Sequence, residues 1–240
     1  MYYYCGYDLY YDNLTHYKYY SKITNYDKPV YMFFHGLGFG LMQYIILIKH
    51  FDGENLIFVD IPNLSWRKDF DYIDDRIIDI TFENYIRQNK IKKINLIGHS
   101  YGGVIIQKIL NNYNEYIDKV YFLESPVFST LAGCMTKKIL YKNDVPYMYK
   151  ILLFNDLNLE QQFSRTDTMI NQFINPTYYD KYVCFFAKHD ELIDYYTVMS
   201  DDQINHVEHY FYNGKHGSAI LKKKVLDYIK NIIFQNKNTI

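Results

Sequence analysis

The sequence predicts an α/β fold built on a mostly parallel sheet, and three observations carry that reading. Apolar runs of strand length recur at residues 30–34, 55–60, 94–97, 120–123, 182–186 and 207–212. Longer stretches with helical spacing of apolar side chains separate most of them. The runs close on turn-forming residues, in order "HGLG", "IPN", "GHSYGG", "ESP", "AKHDE" and "NGKHGS". Strands alternating with helices of these lengths form parallel βαβ units. Right-handed crossovers then bring the loops after the strands to one edge of the sheet.

The elements follow in chain order. Residues 2–23 alternate around a turn at Asp12 and Asn13, which predicts an antiparallel hairpin ahead of the parallel strands. Residues 30–34 form the first parallel strand, and a helix follows over 41–51. After the strand at 55–60, residues 71–89 carry apolar side chains at 73, 77, 80, 82, 85 and 86, a helix with one buried face. The strand at 94–97 leads into a helix whose apolar positions are 105, 106, 109, 110 and 113. The strands at 120–123, 182–186 and 207–212 come next, then a closing helix over 219–234. Residues 129–180 break the rhythm. They hold no obvious strand and are too many for a bare connection in a compact domain. They are read as a helical cap or lid inserted within one domain that spans residues 1–240.

Composition narrows the function. The net charge of −1 and scattered lysines speak against nucleic acid or an acidic membrane surface as a partner. Cys5, Cys134 and Cys184 form no close pair and no metal-ligand spacing, which fits a reducing compartment. The N-terminal residues lack a basic start and a long apolar run, so no signal peptide is read. No stretch is long enough to span a bilayer. A cytoplasmic protein without stable membrane insertion is expected. The 29 Tyr and 16 Phe, against alanine at only Ala132, Ala187 and Ala219, are read as the codon bias of an AT-rich genome.

Chemistry concentrates at "NLIGHSYGG". Of the 11 glycines, Gly98, Gly102 and Gly103 lie within six positions around Ser100. Flanked by a strand and a helix, this G-x-S-x-G pattern describes an abrupt turn with serine at its apex. A serine held in a strained turn points its hydroxyl away from the sheet. Side chains at 98 and 102 would meet the neighbouring strand and helix, so both positions must be tiny. Gly103 lets the helix pack close.

A serine hydroxyl needs a base. Among eight histidines, His216 is the candidate, because it sits in the loop after the last strand between Gly214 and Gly217. His16, His50, His206 and His209 read as ordinary polar residues, and His206-x-x-His209 lacks a supporting carboxylate motif for metal. The base needs an orienting acid. Asp190 gives the order Ser, Asp, His; Glu124, at the end of the preceding strand, is an alternative, and Glu191 a weaker one. In "HGLG", His35 and Gly36 lead to Leu37, whose N–H could join that of Tyr101 in stabilising a developing oxyanion. An imidazole base predicts activity that falls roughly below pH 6 to 7.

Together these residues resemble the α/β-hydrolase superfamily over nearly the whole chain. "FFHGLG" is similar to its oxyanion loop, "LIGHSYGG" to its nucleophile elbow, "FFAKHDELI" to its acid loop and "GKHGS" to its histidine loop. The resemblance implies an eight-stranded sheet, antiparallel at its start, with the lid after the sixth strand. It implies Ser100 as nucleophile, His216 as base, Asp190 as acid, and the Leu37 and Tyr101 amides as oxyanion donors. Ala187 stands where many relatives carry glycine, and serine at the elbow departs from the dehalogenase and epoxide hydrolase branches. The expected function is hydrolysis of a small-molecule or lipid-like ester with a small or medium apolar acyl group, through an acyl-enzyme, with no metal or organic cofactor. Thioesterase, amidase and acyltransferase chemistry would use the same triad. The contrasting expectation is a non-catalytic binding or scaffold protein on a hydrolase fold.

Overall fold

The computed structural model describes residues 6–13, 17–25, 27–36, 38, 40–61, 75–127, 176–193 and 205–235. Strands β1 (Asp8–Tyr11), β2 (Lys18–Lys22), β3 (Val30–Phe34), β4 (Asn55–Asp60), β5 (Ile94–His99), β6 (Ile117–Leu123), β7 (Tyr182–Ala187) and β8 (Glu208–Tyr212) form one sheet in the order β1-β2-β4-β3-β5-β6-β7-β8. The β1–β2 and β2–β4 pairings are antiparallel, and every pairing from β4 to β8 is parallel. The expected hairpin, parallel strands and antiparallel start are therefore present. Helices α1 (Ile45–His50), α2 (Asp75–Gln88), α3 (Gly102–Tyr113), α4 (Ser218–Leu221) and α5 (Lys223–Lys230) complete the described elements, with 3₁₀ turns at Gly40–Tyr44, Asn114–Tyr116 and Pro176–Lys181. The proposed cap at 129–180 lies outside the described residues except for 176–180, which belong to the last of these turns.

Helices cover both faces of the sheet, which explains why the central strands are continuously apolar rather than alternating. All five residues of β3 are buried. Met32 and Phe34 join Leu96, Phe122, the α2 residues Ile78 and Phe82, and the α3 residues Ile105 and Ile109. Tyr31 and Phe33 point the other way, into a layer with Ile97, Phe185, Leu47 of α1, and Leu226 and Ile229 of α5. Successive side chains of one strand thus feed two separate cores.

Three details differ from the sequence reading. The helix over 41–51 begins as a 3₁₀ turn and becomes α-helical only from Ile45. In α2 the buried stripe is Ile78, Phe82, Tyr85 and Ile86, whereas Ile80 is 47% exposed. Ile78, Phe82 and Tyr85 follow the i, i+4, i+7 spacing of one face, and Ile80 falls outside it. The closing helix is not continuous. Lys222 adopts an extended backbone between α4 and α5, and a π-helical turn, Asn231–Gln235, ends the described chain. The start of α4 is fixed by hydrogen bonds to Glu124, so a change of direction is needed before Val225, Leu226 and Ile229 can lie on the sheet.

Candidate active site

Parallel pairing aligns the carboxyl ends of five strands. Phe34 pairs with Gly98, His99 with Leu123, Leu123 with Phe185, and Ala187 with Tyr212. The loops after β3, β5, β6, β7 and β8 therefore meet along one edge, where ligands bind in open α/β sheets.

Ser100 follows β5 directly. Its φ of +51° lies in the left-handed region, uncommon for a residue with a side chain. Its N–H donates to Leu123 O at 3.0 Å, and its carbonyl accepts from Gly103 N–H at 3.0 Å, so the turn is held on both sides. The glycine requirement read from sequence is met by backbone. A Cβ at Gly98 would stand 2.7 Å from Gly102 C, and one at Gly102 would stand 2.1 Å from Phe34 O. Gly103 lets α3 pack close to the segment after β6, since a Cβ there would collide with the Ser125 side chain. Because backbone cannot retreat as a side-chain tip can, Gly102→Ala should lower the unfolding free energy by about 3 kcal/mol, the upper end of the usual overpacking cost. Chemical denaturation checks this, and a midpoint equal to wild type would contradict such close packing of α3 on β3.

The loop after β3 lies against the elbow. A Cβ at Gly36 would come within 2.8 Å of Ser100 Cβ. His35 is wholly buried; its Nδ1–H donates to Gly36 O at 2.7 Å and its Nε2 accepts from Ile61 N–H at 3.0 Å. Both bonds suit neutral imidazole, and burial keeps its pKa below the ordinary value. Leu37 lies outside the described residues. Tyr101 stands at the start of α3, directly after Ser100.

His216 and Asp190 come from adjacent loops, zipped together beyond the strand ends. Lys188 N–H donates to Tyr212 O, and His189 N–H donates to Gly214 O at 2.9 Å. His216 Nδ1 then lies 3.0 Å from Asp190 Oδ2 and 3.2 Å from Oδ1, with both side chains at most 5% exposed. The Leu192 and Ile193 amides both donate to Asp190 Oδ1 at 2.8 Å, fixing the carboxylate. Of the three acids considered, Asp190 is the one hydrogen-bonded to the ring. Glu191 accepts instead from the backbone N–H of His216. Burial disfavours protonated His216, but the charge and hydrogen bond of Asp190, followed by the charges of Glu124 and Glu191, outweigh it and push the pKa up to about 9. The expected activity loss below pH 6 to 7 therefore moves upward.

Glu124, the alternative acid, does follow β6, but it makes contacts that the sequence did not reveal. It is fully buried, adopts a φ of +47°, and accepts from His99, Tyr212 O–H and two backbone amides. His99 and Tyr44 carry this network back to Gly36, through Tyr44 O–H to His99 Nδ1 at 2.9 Å and Gly36 N–H to Tyr44 Oη at 2.7 Å. The rings of His99 and His216 are 5.4 Å apart. Among the described residues no group of three or more His, Cys, Asp and Glu could hold a metal ion, and no helix is long and apolar enough to cross a membrane. Of the other histidines considered from sequence, His209 Nδ1 bonds Val207 O and His50 lies 3.0 Å from Asp227, while His16 is outside the described residues.

A sharp serine turn and a carboxylate-paired imidazole on one sheet edge are groups from which nucleophilic chemistry can be built. The family described as alpha/beta hydrolase fold matches residues 29–173, more than half of the chain, and the chain belongs to that family. Its fold is similar to that of MGS-MChE2, an alpha/beta hydrolase enzyme from the metagenome of Mar Chica lagoon sediments in Morocco, with a TM-score of 0.64, 14% identity, and 95% of this chain and 98% of that one covered. Naproxen esterase (carboxylesterase NP) from Bacillus subtilis gives 0.64 at 13% identity, covering 94% and 91%. Serine hydrolase CCSP0084 from Cycloclasticus zankles gives 0.63 at 14% identity, covering 98% and 99%. No curated protein matches the chain.

Proposed function

We propose that the protein is a serine hydrolase that cleaves carboxylic esters of small or medium apolar substrates through an acyl-enzyme. The observation that carries this reading is the 3.0 Å contact of His216 Nδ1 with Asp190, on the sheet edge where Ser100 sits in its strained turn. In the proposed reaction neutral His216 takes the Ser100 proton as the hydroxyl oxygen attacks the ester carbonyl. The resulting imidazolium is stabilised by Asp190, which also keeps the Nδ1 proton in place. The Leu37 and Tyr101 amides receive the oxyanion, each donor contributing about 3 kcal/mol of transition-state stabilisation. His216 then protonates the leaving alcohol and next activates water to release the acid. That an esterase and a serine hydrolase share this fold accords with the reading, while the residues above carry it.

Two measurements test it. A fluorophosphonate should label the protein covalently, with the adduct mapped to Ser100 by peptide mass spectrometry. A p-nitrophenyl ester series of increasing acyl length should be turned over, with a preference for short or medium chains. A folded protein that never labels and never turns over any ester would favour a scaffold. Labelling with turnover only of thioesters or amides would keep the triad and change the substrate class.

A further inference from the structure

We propose that Glu124 is a positioning residue for this hydrolysis, a second buried carboxylate that ties the elbow, the Gly36 loop and the histidine loop into one unit and turns its negative charge towards His216. The inference rests on the serine hydrolase reading and assigns Glu124 a role separate from that of Asp190. Its side chain carries four hydrogen bonds from three parts of the site. Oε1 accepts from Tyr212 O–H at 2.6 Å and from Ala219 N–H at 3.1 Å. Oε2 accepts from Gly217 N–H at 2.5 Å and from His99 at 3.2 Å. Gly217 follows His216 in sequence, and His99 precedes Ser100, so one carboxylate grips the immediate neighbours of both.

The far side of His99 extends the grip. Gly36 N–H donates to Tyr44 Oη, which leaves the phenolic proton for His99 Nδ1 and so sets His99 Nε2–H towards Glu124. The direction of every bond in this chain follows from its first and last members, because an amide only donates and a carboxylate only accepts. Gly36 also lies close against the elbow, where a Cβ on it would come within 2.8 Å of Ser100 Cβ. The spacing between the Gly36 loop and the elbow is thus defined by the same network that holds the histidine loop.

A merely structural clamp would not need charge, or a strained backbone to present it. Glu124 has both, at zero exposure and a φ of +47°. Burial works against its ionisation, but hydrogen bonding from His99, the charge of His216 and the Tyr212 bond hold its pKa below the ordinary value. Among the described residues, the charged or titratable groups acting on His216 are Asp190 and Glu191 from the loop after β7, Glu124 from the end of β6, and His99 from the end of β5. Glu124 therefore stabilises an imidazolium without bonding its ring.

The test compares wild type, Glu124→Gln and Tyr44→Phe as full chains, by kcat/KM against pH on one ester, by fluorophosphonate labelling rate and by thermal unfolding. Glu124→Gln removes the charge and should lower kcat/KM roughly tenfold or more while moving the acid limb down by about half a pH unit or more. Tyr44→Phe removes no charge and should slow labelling severalfold with the acid limb unmoved. It also serves as the second variant should Glu124→Gln not fold. An acid limb unchanged in folded Glu124→Gln, or a Tyr44→Phe protein that labels at the wild-type rate, would overturn the inference while leaving the hydrolase reading intact. Wild type that does not label at all would overturn both.

Discussion

Ser100→Ala should abolish fluorophosphonate labelling and reduce ester turnover by about a million-fold, to the residual rate that binding and oxyanion stabilisation alone sustain. The size follows from the role. Without the hydroxyl oxygen there is no acyl-enzyme, and a base positioned for Oγ is poorly placed to direct water to the same carbonyl. Folding should be nearly unchanged, because Ser100 is held in the turn by backbone bonds, from its N–H to Leu123 O and from Gly103 N–H to its carbonyl. Removing Cβ substituents from a turn with φ of +51° adds no new clash. His216→Ala should lose turnover on the same scale, since the two groups act as one unit and their losses do not add. Intact-protein mass spectrometry and active-site titration decide the matter. A Ser100→Ala protein that still acquires the adduct, or still hydrolyses esters at a tenth of the wild-type rate, would place the nucleophile elsewhere.

How far the sequence disclosed this site depends on the range of the interaction. The central strands were legible because two helical layers bury both faces, so Val30–Phe34 and Tyr182–Ala187 are almost unbroken apolar runs. The elbow was legible because backbone contacts under 3 Å at Gly98 and Gly102 leave no residue but glycine, a signal confined to six positions. The pairing of Asp190 with His216 was legible from loop order, since adjacent parallel strands deliver adjacent loops. What Glu124 touches was not legible. Its partners Tyr212, Gly217 and His99, and Tyr44 beyond them, are distant in sequence and are brought together by strand register, and both tyrosines are hidden among 29. Nor did the break at Lys222 announce itself, because neither glycine nor proline marks it. A hydrogen bond made to Glu124 dictates where that helix starts, and local propensity cannot report such a constraint.

Asp190→Asn should reduce kcat by about ten-thousand-fold while leaving the fold and the Ser100 turn in place. The asparagine keeps the shape and can still accept the Leu192 and Ile193 amides through Oδ1. What changes is the face turned to the ring. An amide NH₂ opposite His216 Nδ1 forces that nitrogen to accept, which moves the ring proton to Nε2 and removes the lone pair that must take the serine proton. The charge is lost as well. With Asp190 present, His216 is pushed up to about 9, so wild-type activity should rise with pH as the base deprotonates, with a midpoint well above that of an ordinary histidine. In Asp190→Asn the acid limb should move down, because the largest charge favouring imidazolium is gone, with Glu124 and Glu191 remaining. Stability carries the same sign. A histidine whose folded-state pKa is raised contributes stability that is complete below its unfolded value near 6.5 and fades as pH rises through about 9. The unfolding free-energy difference between wild type and Asp190→Asn should therefore be larger at pH 6 than at pH 9.5. Turnover near wild type in Asp190→Asn, together with a ten-thousand-fold loss in Glu124→Gln, would transfer the acid's role to Glu124. The hydrogen bonds of the structure argue against that exchange, since Glu124 spends both oxygens on His99, Tyr212 and two amides, and Asp190 faces the imidazole.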